Sequence, residues 1–198
     1  MIPKKIHYCW FGGNPLPKSA IKCINSWKKY CPDYEIIEWN ENNFDINMNG
    51  YTRMCYEQKK FAFLSDYVRL LVIYQNGGLY FDTDVELIKN PDFLLNTNAF
   101  FGFETEIKKS PNPQKAEVNT GLGFGAIQNS KILQILLNAY DSLLNGENGV
   151  IMGPKLNTAG LEKAGLICKF FQHRFLCAKV LLWHLFCLFR HYVLDGAA

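Results

Sequence analysis

The stretch from Phe61 to Asp84 constrains this chain more than any other. Phe61 to Tyr74 is apolar on nearly every side, which predicts a helix buried all round, without a solvent face. Asn76-Gly77-Gly78 should end that helix, because glycine accepts the left-handed conformation that helix C-termini favour. Leu79-Tyr80-Phe81 then reads as a short strand into Asp82-Thr83-Asp84, and Val85 to Ile88 continues extended.

The flanking segments set the class of fold. Lys5 to Phe11 is an apolar, aromatic strand that ends at Gly12-Gly13-Asn14-Pro15. Ile21, Ile24 and Trp27 recur at helical spacing and predict a helix from Ser19 to Tyr30, followed by a strand over Tyr34 to Trp39. A strand-helix-strand opening predicts an α/β fold whose sheet is at least partly parallel. After an Asn-rich loop (Asn40 to Asn49), one helical region is expected from Tyr51 to Gln75. Further strands are expected over Phe100 to Glu104 and Val118 to Ile127, and helices over Lys131 to Leu144 and Lys155 to Lys163.

A chain of 198 residues suffices for one well-buried domain and is short for two. That domain is expected over residues 1–165. Its formal charge of +3, with Lys and Arg spread out, gives no footprint for nucleic acid. Seven cysteines, without a CxxC pair or Cys/His ligand spacing, predict neither zinc nor a disulfide framework. They read as buried, reduced thiols of a cytoplasmic protein, and Met1 to Lys5 lacks a signal-peptide pattern. From Leu166 the composition turns to Phe, Leu, Cys and His. Phe175 to Phe189 is a nearly continuous apolar run with Arg174, Lys179 and Arg190 in and around it. Residues 166–198 are therefore read as an atypical tail. It is expected to pack on the domain as a C-terminal helix, to lie as a helix at the inner face of a membrane, or to be poorly ordered as a sequence foreign to the fold.

Asp82 and Asp84 are the candidate metal ligands. In an extended chain, residues i and i+2 share a face, so the two carboxylates would project together with Cα atoms roughly 7 Å apart. Such a pair suits a hard divalent ion, Mn²⁺ or Mg²⁺, whose remaining ligands come from substrate phosphates. Strand ends are where α/β folds bind ligands, although a surface turn produces the same tripeptide without function. Gly77-Gly78 would let a ligand or another backbone approach closely. Asp66 and Arg69, at i and i+3, share a helix face. They form either an internal ion pair or part of a site for phosphates and hydroxyls.

Phe63-Leu64-Ser65-Asp66-Tyr67-Val68-Arg69, followed by Gly77-Gly78-Leu79-Tyr80-Phe81-Asp82-Thr83-Asp84, resembles the donor-site signature of the family 32 glycosyltransferases. Those include bacterial capsular polysaccharide transferases and fungal initiating mannosyltransferases. The pattern, S-D-x-x-R then G-G-x-Y-x-D-x-D, also resembles the core of the large clostridial glucosylating toxins. Ile2 to Gly12 is similar to the family's opening, so the resemblance covers residues 2 to 165.

The resemblance implies a GT-A-like nucleotide-sugar-binding fold with a mixed, mainly parallel central sheet. It further implies retaining transfer of a hexose from a nucleoside-diphosphate sugar, a UDP-hexose ahead of GDP-mannose, with Mn²⁺ or Mg²⁺ on the diphosphate. The acceptor would be a polysaccharide or a lipid-linked glycan. Trp10 would lie against the nucleobase, Asp66 would hold ribose or sugar hydroxyls, and Arg69 would contact the donor sugar or its phosphate. Asp82 would reach the ribose and, through water, the metal. Asp84 would ligate the metal directly, and Asn119 would contact sugar or acceptor. Glu104 and Glu106 are candidates for a nucleophile, but same-face attack assisted by the leaving phosphate is favoured. Family members continue past the Gly153-Pro154 region into strands and a His- and Trp-containing closing segment, which the tail from Leu166 does not resemble. The domain is accordingly expected to be incomplete at its C-terminus. The alternatives to an active transferase are an impaired nucleotide-sugar-binding domain and a peripheral membrane module anchored by the tail.

Overall fold

The computed structural model describes residues 1–103, 118–165, 180–182 and 189–191. The chain opens with β1 (Lys5–Cys9), α1 (Lys18–Tyr30) and β2 (Glu35–Trp39), then runs through α2 (Gly50–Glu57) and α3 (Phe61–Asn76). It continues with β3 (Gly78–Tyr80), β4 (Val85–Leu87), β5 (Ala99–Phe103), β6 (Val118–Ala126), α4 (Lys131–Asn138) and α5 (Gly153–Lys163). The last described elements are β7 (Val180–Leu182) and β8 (Phe189–His191).

Among the described residues, six strands form one sheet in the order β2-β1-β3-β6-β5-β7. β1 is parallel to β2 and β3, and β5 is parallel to β7; β6 alone runs against its neighbours. The sheet is thus mixed and mainly parallel, as expected. Both of its faces are apolar. Ile6, Tyr8, Leu79, Phe81 and Phe100 pack with Cys23, Ile24 and Trp27 of α1. Cys9, Tyr80, Phe101 and Phe124 pack on the other face with α3 and α4. Alternation across the pleat sends neighbouring residues to opposite layers, and a strand covered on both faces reads as a continuous apolar run. That is why Leu79-Tyr80-Phe81 is hydrophobic throughout.

The expected helical region over 51–75 is two helices. α2 ends in a Schellman arrangement: Lys60 N–H donates to Cys55 O (2.7 Å) and Lys59 N–H to Tyr56 O (3.0 Å). Lys59 takes the left-handed conformation (φ 56) that this ending requires. α3 ends as expected at a glycine, with Gly77 N–H donating to Ile73 O (2.8 Å). Gly77 sits at φ 66, ψ 179, which is the extended mirror region that only glycine enters readily, and not the left-handed helical one. The close approach at Gly78 is made by protein: a Cβ there would lie 2.9 Å from Lys5 O and 3.0 Å from His7 Nε2.

Cys9, Cys23, Cys31 and Cys55 are buried and unbridged, in keeping with their reading as core thiols; Cys168, Cys177 and Cys187 lie outside the described residues. So do Glu104, Glu106 and most of the tail. Where the tail is described it is strand, not the helix expected over 175–189. Residues 180–182 pair with β5, and residues 189–191 pair with β4. A short apolar run does not distinguish helix from strand by periodicity, and two sheet edges were open to it. Among the described residues, no helix is long and apolar enough to cross a membrane.

Candidate functional site

Arg69 is the hub of the site. It lies in the middle of α3, one turn after Asp66, and is 5% exposed. Its Nε donates to Ser65 O (3.0 Å), Nη2 pairs with Asp66 Oδ1 (2.9 Å), and Nη1 pairs with Asp82 Oδ2 (3.3 Å). The guanidinium also lies over the Tyr80 ring, 5.0 Å from its centroid. Burial opposes its charge, yet the carboxylates of Asp82 and Asp66, with Tyr80, hold its pKa above the ordinary value. A buried cation is tolerated when paired and hydrogen-bonded in this way. Of the two readings of Asp66 and Arg69, the structure shows the internal ion pair, and that pair extends to Asp82.

Asp82 follows β3. Its Oδ1 accepts from the Tyr80 hydroxyl (3.0 Å) and its side chain remains 35% exposed. Val85 N–H donates to Asp82 O (3.0 Å), so Asp82-Thr83-Asp84 forms a tight turn, not the extended segment expected from i, i+2 geometry. The turn stays fixed because α1 grips the chain on its far side. Trp27 Nε1 donates to Val85 O (2.8 Å), and Leu87 N–H donates to Ser26 Oγ (2.9 Å).

Asp66 is held from a second side. Its Oδ2 accepts from Gly153 N–H (3.0 Å), the first residue of α5, where a carboxylate meets the positive end of the helix dipole. A Cβ on Gly153 would lie 2.6 Å from Asp66 Cγ. Asn119, at the start of β6, turns its Oδ1 inward, accepting from Gly121 N–H (2.7 Å) and Leu122 N–H (3.2 Å). Trp10 follows β1 and is half-buried. Its indole N–H donates to Asn14 O (2.6 Å) and its backbone N–H to Trp39 O (2.8 Å). Because β1 and β3 are parallel neighbours, Trp10 and the Asp82 turn lie at the carboxyl ends of adjacent strands, where α/β sheets place ligands.

The structure therefore joins Asp66, Arg69 and Asp82 directly, sets Asp84 in the same turn, and leaves Trp10 bonded to its own loop. Tyr80, Gly121 and Gly153 belong to the cluster without having been singled out. Tyr80 stood within the quoted motif, whereas the Asp66–Gly153 contact spans 87 residues and carries no local signal.

Among the described residues, no group of three or more His, Cys, Asp or Glu could hold a metal ion by itself. A hard divalent ion can be held by one or two protein carboxylates with phosphate and water completing its shell, and Asp82 and Asp84 are the two carboxylates of this turn. Asp82 is engaged by Arg69 and Tyr80.

With the geometry in place, comparison with known proteins shows the fold. The architecture is that of the GT-A glycosyltransferases: the PaToxG glycosyltransferase superposes with a TM-score of 0.63 at 18% identity, over 86% of this chain and 75% of that one. Residues 17–101 match the family described as glycosyltransferase sugar-binding region containing DXD motif, which takes in Asp66, Arg69, Asp82 and Asp84. Among curated proteins, Subversion of eukaryotic traffic protein A of Legionella pneumophila is 27% identical over 129 residues, 52% of this chain and 20% of that one. Inositol phosphoceramide mannosyltransferase 3 of Schizosaccharomyces pombe is 28% identical over 103 residues, 50% of this chain and 29% of that one. This chain thus spans less than a third of the length of either relative.

Proposed function

We propose that this site binds a nucleoside-diphosphate sugar and transfers its hexose, with retention, to a polysaccharide or lipid-linked glycan. A UDP-hexose is the first donor to test and GDP-mannose the second. One observation carries the reading: a buried arginine tied to two carboxylates, beside a turn bearing a third, at the carboxyl end of a parallel strand. The name of the fission yeast relative supports a lipid-linked acceptor.

In this reading Trp10 offers its ring to the base, Asp82 and Asp66 accept hydrogen bonds from ribose and sugar hydroxyls, and Asn119 faces the sugar or acceptor. Breaking the anomeric C–O bond leaves negative charge on the diphosphate. Arg69 supplies a preorganised positive charge that water does not screen. A Mn²⁺ or Mg²⁺ ion bound at Asp84, and through water at Asp82, would neutralise the same leaving group. The acceptor hydroxyl attacks from the face on which the diphosphate departs, and a departing phosphate oxygen takes its proton.

A thermal-shift panel of UDP- and GDP-sugars with and without Mn²⁺ tests the donor, since a ligand that binds only the folded state raises apparent stability. Donor hydrolysis then tests the chemistry. Binding without turnover would define a nucleotide-sugar-binding domain, and no shift with any sugar nucleotide would overturn the proposal.

A further inference from the structure

β6 carries four more residues than β5 across one step of their ladder: Phe101 faces Phe124, but Gly102 faces Asn119. Thr120 to Gly123 therefore bulge out of the β5 pairing, and the bulge reaches the ion pair. Gly121 O accepts from Asp82 N–H (3.0 Å). A Cβ on Gly121 would fall inside contact distance of Asp82 Oδ2 and 2.6 Å from Arg69 Nη1. Gly123, in the same bulge, has φ +139, a conformation that by itself asks for glycine. Gly121 is not among the positive-φ residues. It is glycine for want of space, and the space it leaves holds the Asp82 carboxylate and the guanidinium.

The bulge is clasped from within by Asn119 Oδ1 on the Gly121 and Leu122 N–H groups. It is braced from α5, where Asn157 Nδ2 donates to Thr120 Oγ1 (3.3 Å) between two fully buried side chains. Thr158 Oγ1 also accepts from Val118 N–H (2.9 Å). A side chain at position 121 cannot be absorbed by the bulge sliding away. Asp82 or Arg69 must move, and Arg69 is fixed by Ser65 and Asp66.

We propose that Gly121 is a positioning residue of the donor site: its bare backbone sets the Asp82–Arg69 pair, and Asn119 acts on the site through the same bulge by way of its carboxamide oxygen. The inference rests on the reading of Asp82 and Arg69 as donor-binding groups. The test is Gly121→Ala, read in two independent ways. In protein labelled at its four arginines, the Arg69 guanidinium protons, assigned with Arg69→Lys, should exchange slowly in the wild type and fast in the variant. By calorimetry with UDP and Mn²⁺, Gly121→Ala should weaken binding by about tenfold or more, but by no more than about twofold when introduced into Asp82→Ala, because residues acting through one contact are not additive.

Equal losses in both backgrounds would show a general structural effect and overturn the inference. Slow Arg69 exchange retained in Gly121→Ala would overturn it too. If Gly121→Ala does not fold, Asn119→Leu, which releases the clasp without adding atoms beside Asp82, must show the same fast exchange or the inference fails. Failure of the wild type to bind UDP with Mn²⁺ would overturn the donor reading, while the exchange measurement would still decide whether Gly121 sets the pair.

Discussion

His7 lies on β1, beside the strand that carries the carboxylate turn, and its hydrogen bonds fix its chemistry. Trp39 Nε1 donates to Nδ1 (3.0 Å), so Nδ1 carries no proton, and Nε2–H donates to Gly77 O (3.1 Å). The ring is neutral, fully buried and stacked at 17° to Trp39. Burial, only partly offset by the Gly77 carbonyl and reinforced slightly by Lys5, lowers its pKa from 6.5 to about 4. Above pH 6.5 neither the folded nor the unfolded chain carries this proton. Between 6.5 and 4 the unfolded chain takes it up and the folded chain does not, so stability falls as pH falls. Below 4 both carry it and the loss is complete. At about 1.4 kcal/mol per unit, the His7 contribution is about 3 kcal/mol. Urea unfolding measured from pH 7.5 to 4 should show that loss. His7→Gln, neutral throughout and able to donate to Gly77 O while accepting from Trp39, should lose about 3 kcal/mol less over the same range. Parallel pH profiles for the two proteins would refute the tautomer, the shift or both.

Two further substitutions probe the ion-pair cluster. Arg69→Lys keeps the charge but not the fork that serves Ser65, Asp66 and Asp82 together. It should lower donor turnover by about tenfold or more and stability by about 2 kcal/mol, and near-normal kinetics in a folded variant would return Arg69 to a purely structural role. Gly153→Ala places a Cβ 2.6 Å from Asp66 Cγ. It should cost about 1–3 kcal/mol in chemical denaturation and weaken donor binding, whereas unchanged stability would mean that α5 does not hold Asp66.

Much of this arrangement was legible in the sequence, and what was not had specific causes. The helical spacing over Ser19–Tyr30, the all-round apolar run Phe61–Tyr74 and the apolar strands announced themselves because burial on one face or on every side marks the residue types. The motif residues Asp66, Arg69 and Asp82 were gathered in advance and found in contact. The helix break at Lys59 was missed because a Schellman ending occupied by lysine lacks the usual glycine. The carboxylate turn was misjudged as extended because its shape comes from the Val85–Asp82 hydrogen bond and the hold of Trp27 on Val85, which are tertiary facts. Trp10 was read by its ring alone, while its indole N–H answers to Asn14. The β6 bulge left no pattern, since what shapes it is one side-chain oxygen on two backbone amides.

Asp84 is the group proposed to bring a divalent ion to the donor diphosphate. The most direct measurement is the thermal shift given by UDP with Mn²⁺ in the wild type and in Asp84→Ala, each with and without the metal. At a ligand concentration about a hundred times Kd, binding stabilises by about 2.7 kcal/mol, or roughly 5–10 °C for a domain of this size. The wild type should shift by that amount only with Mn²⁺, and Asp84→Ala should unfold near the unliganded wild-type temperature and shift little with or without it. An Asp84→Ala protein that shifts as far as the wild type in Mn²⁺ would contradict the metal assignment.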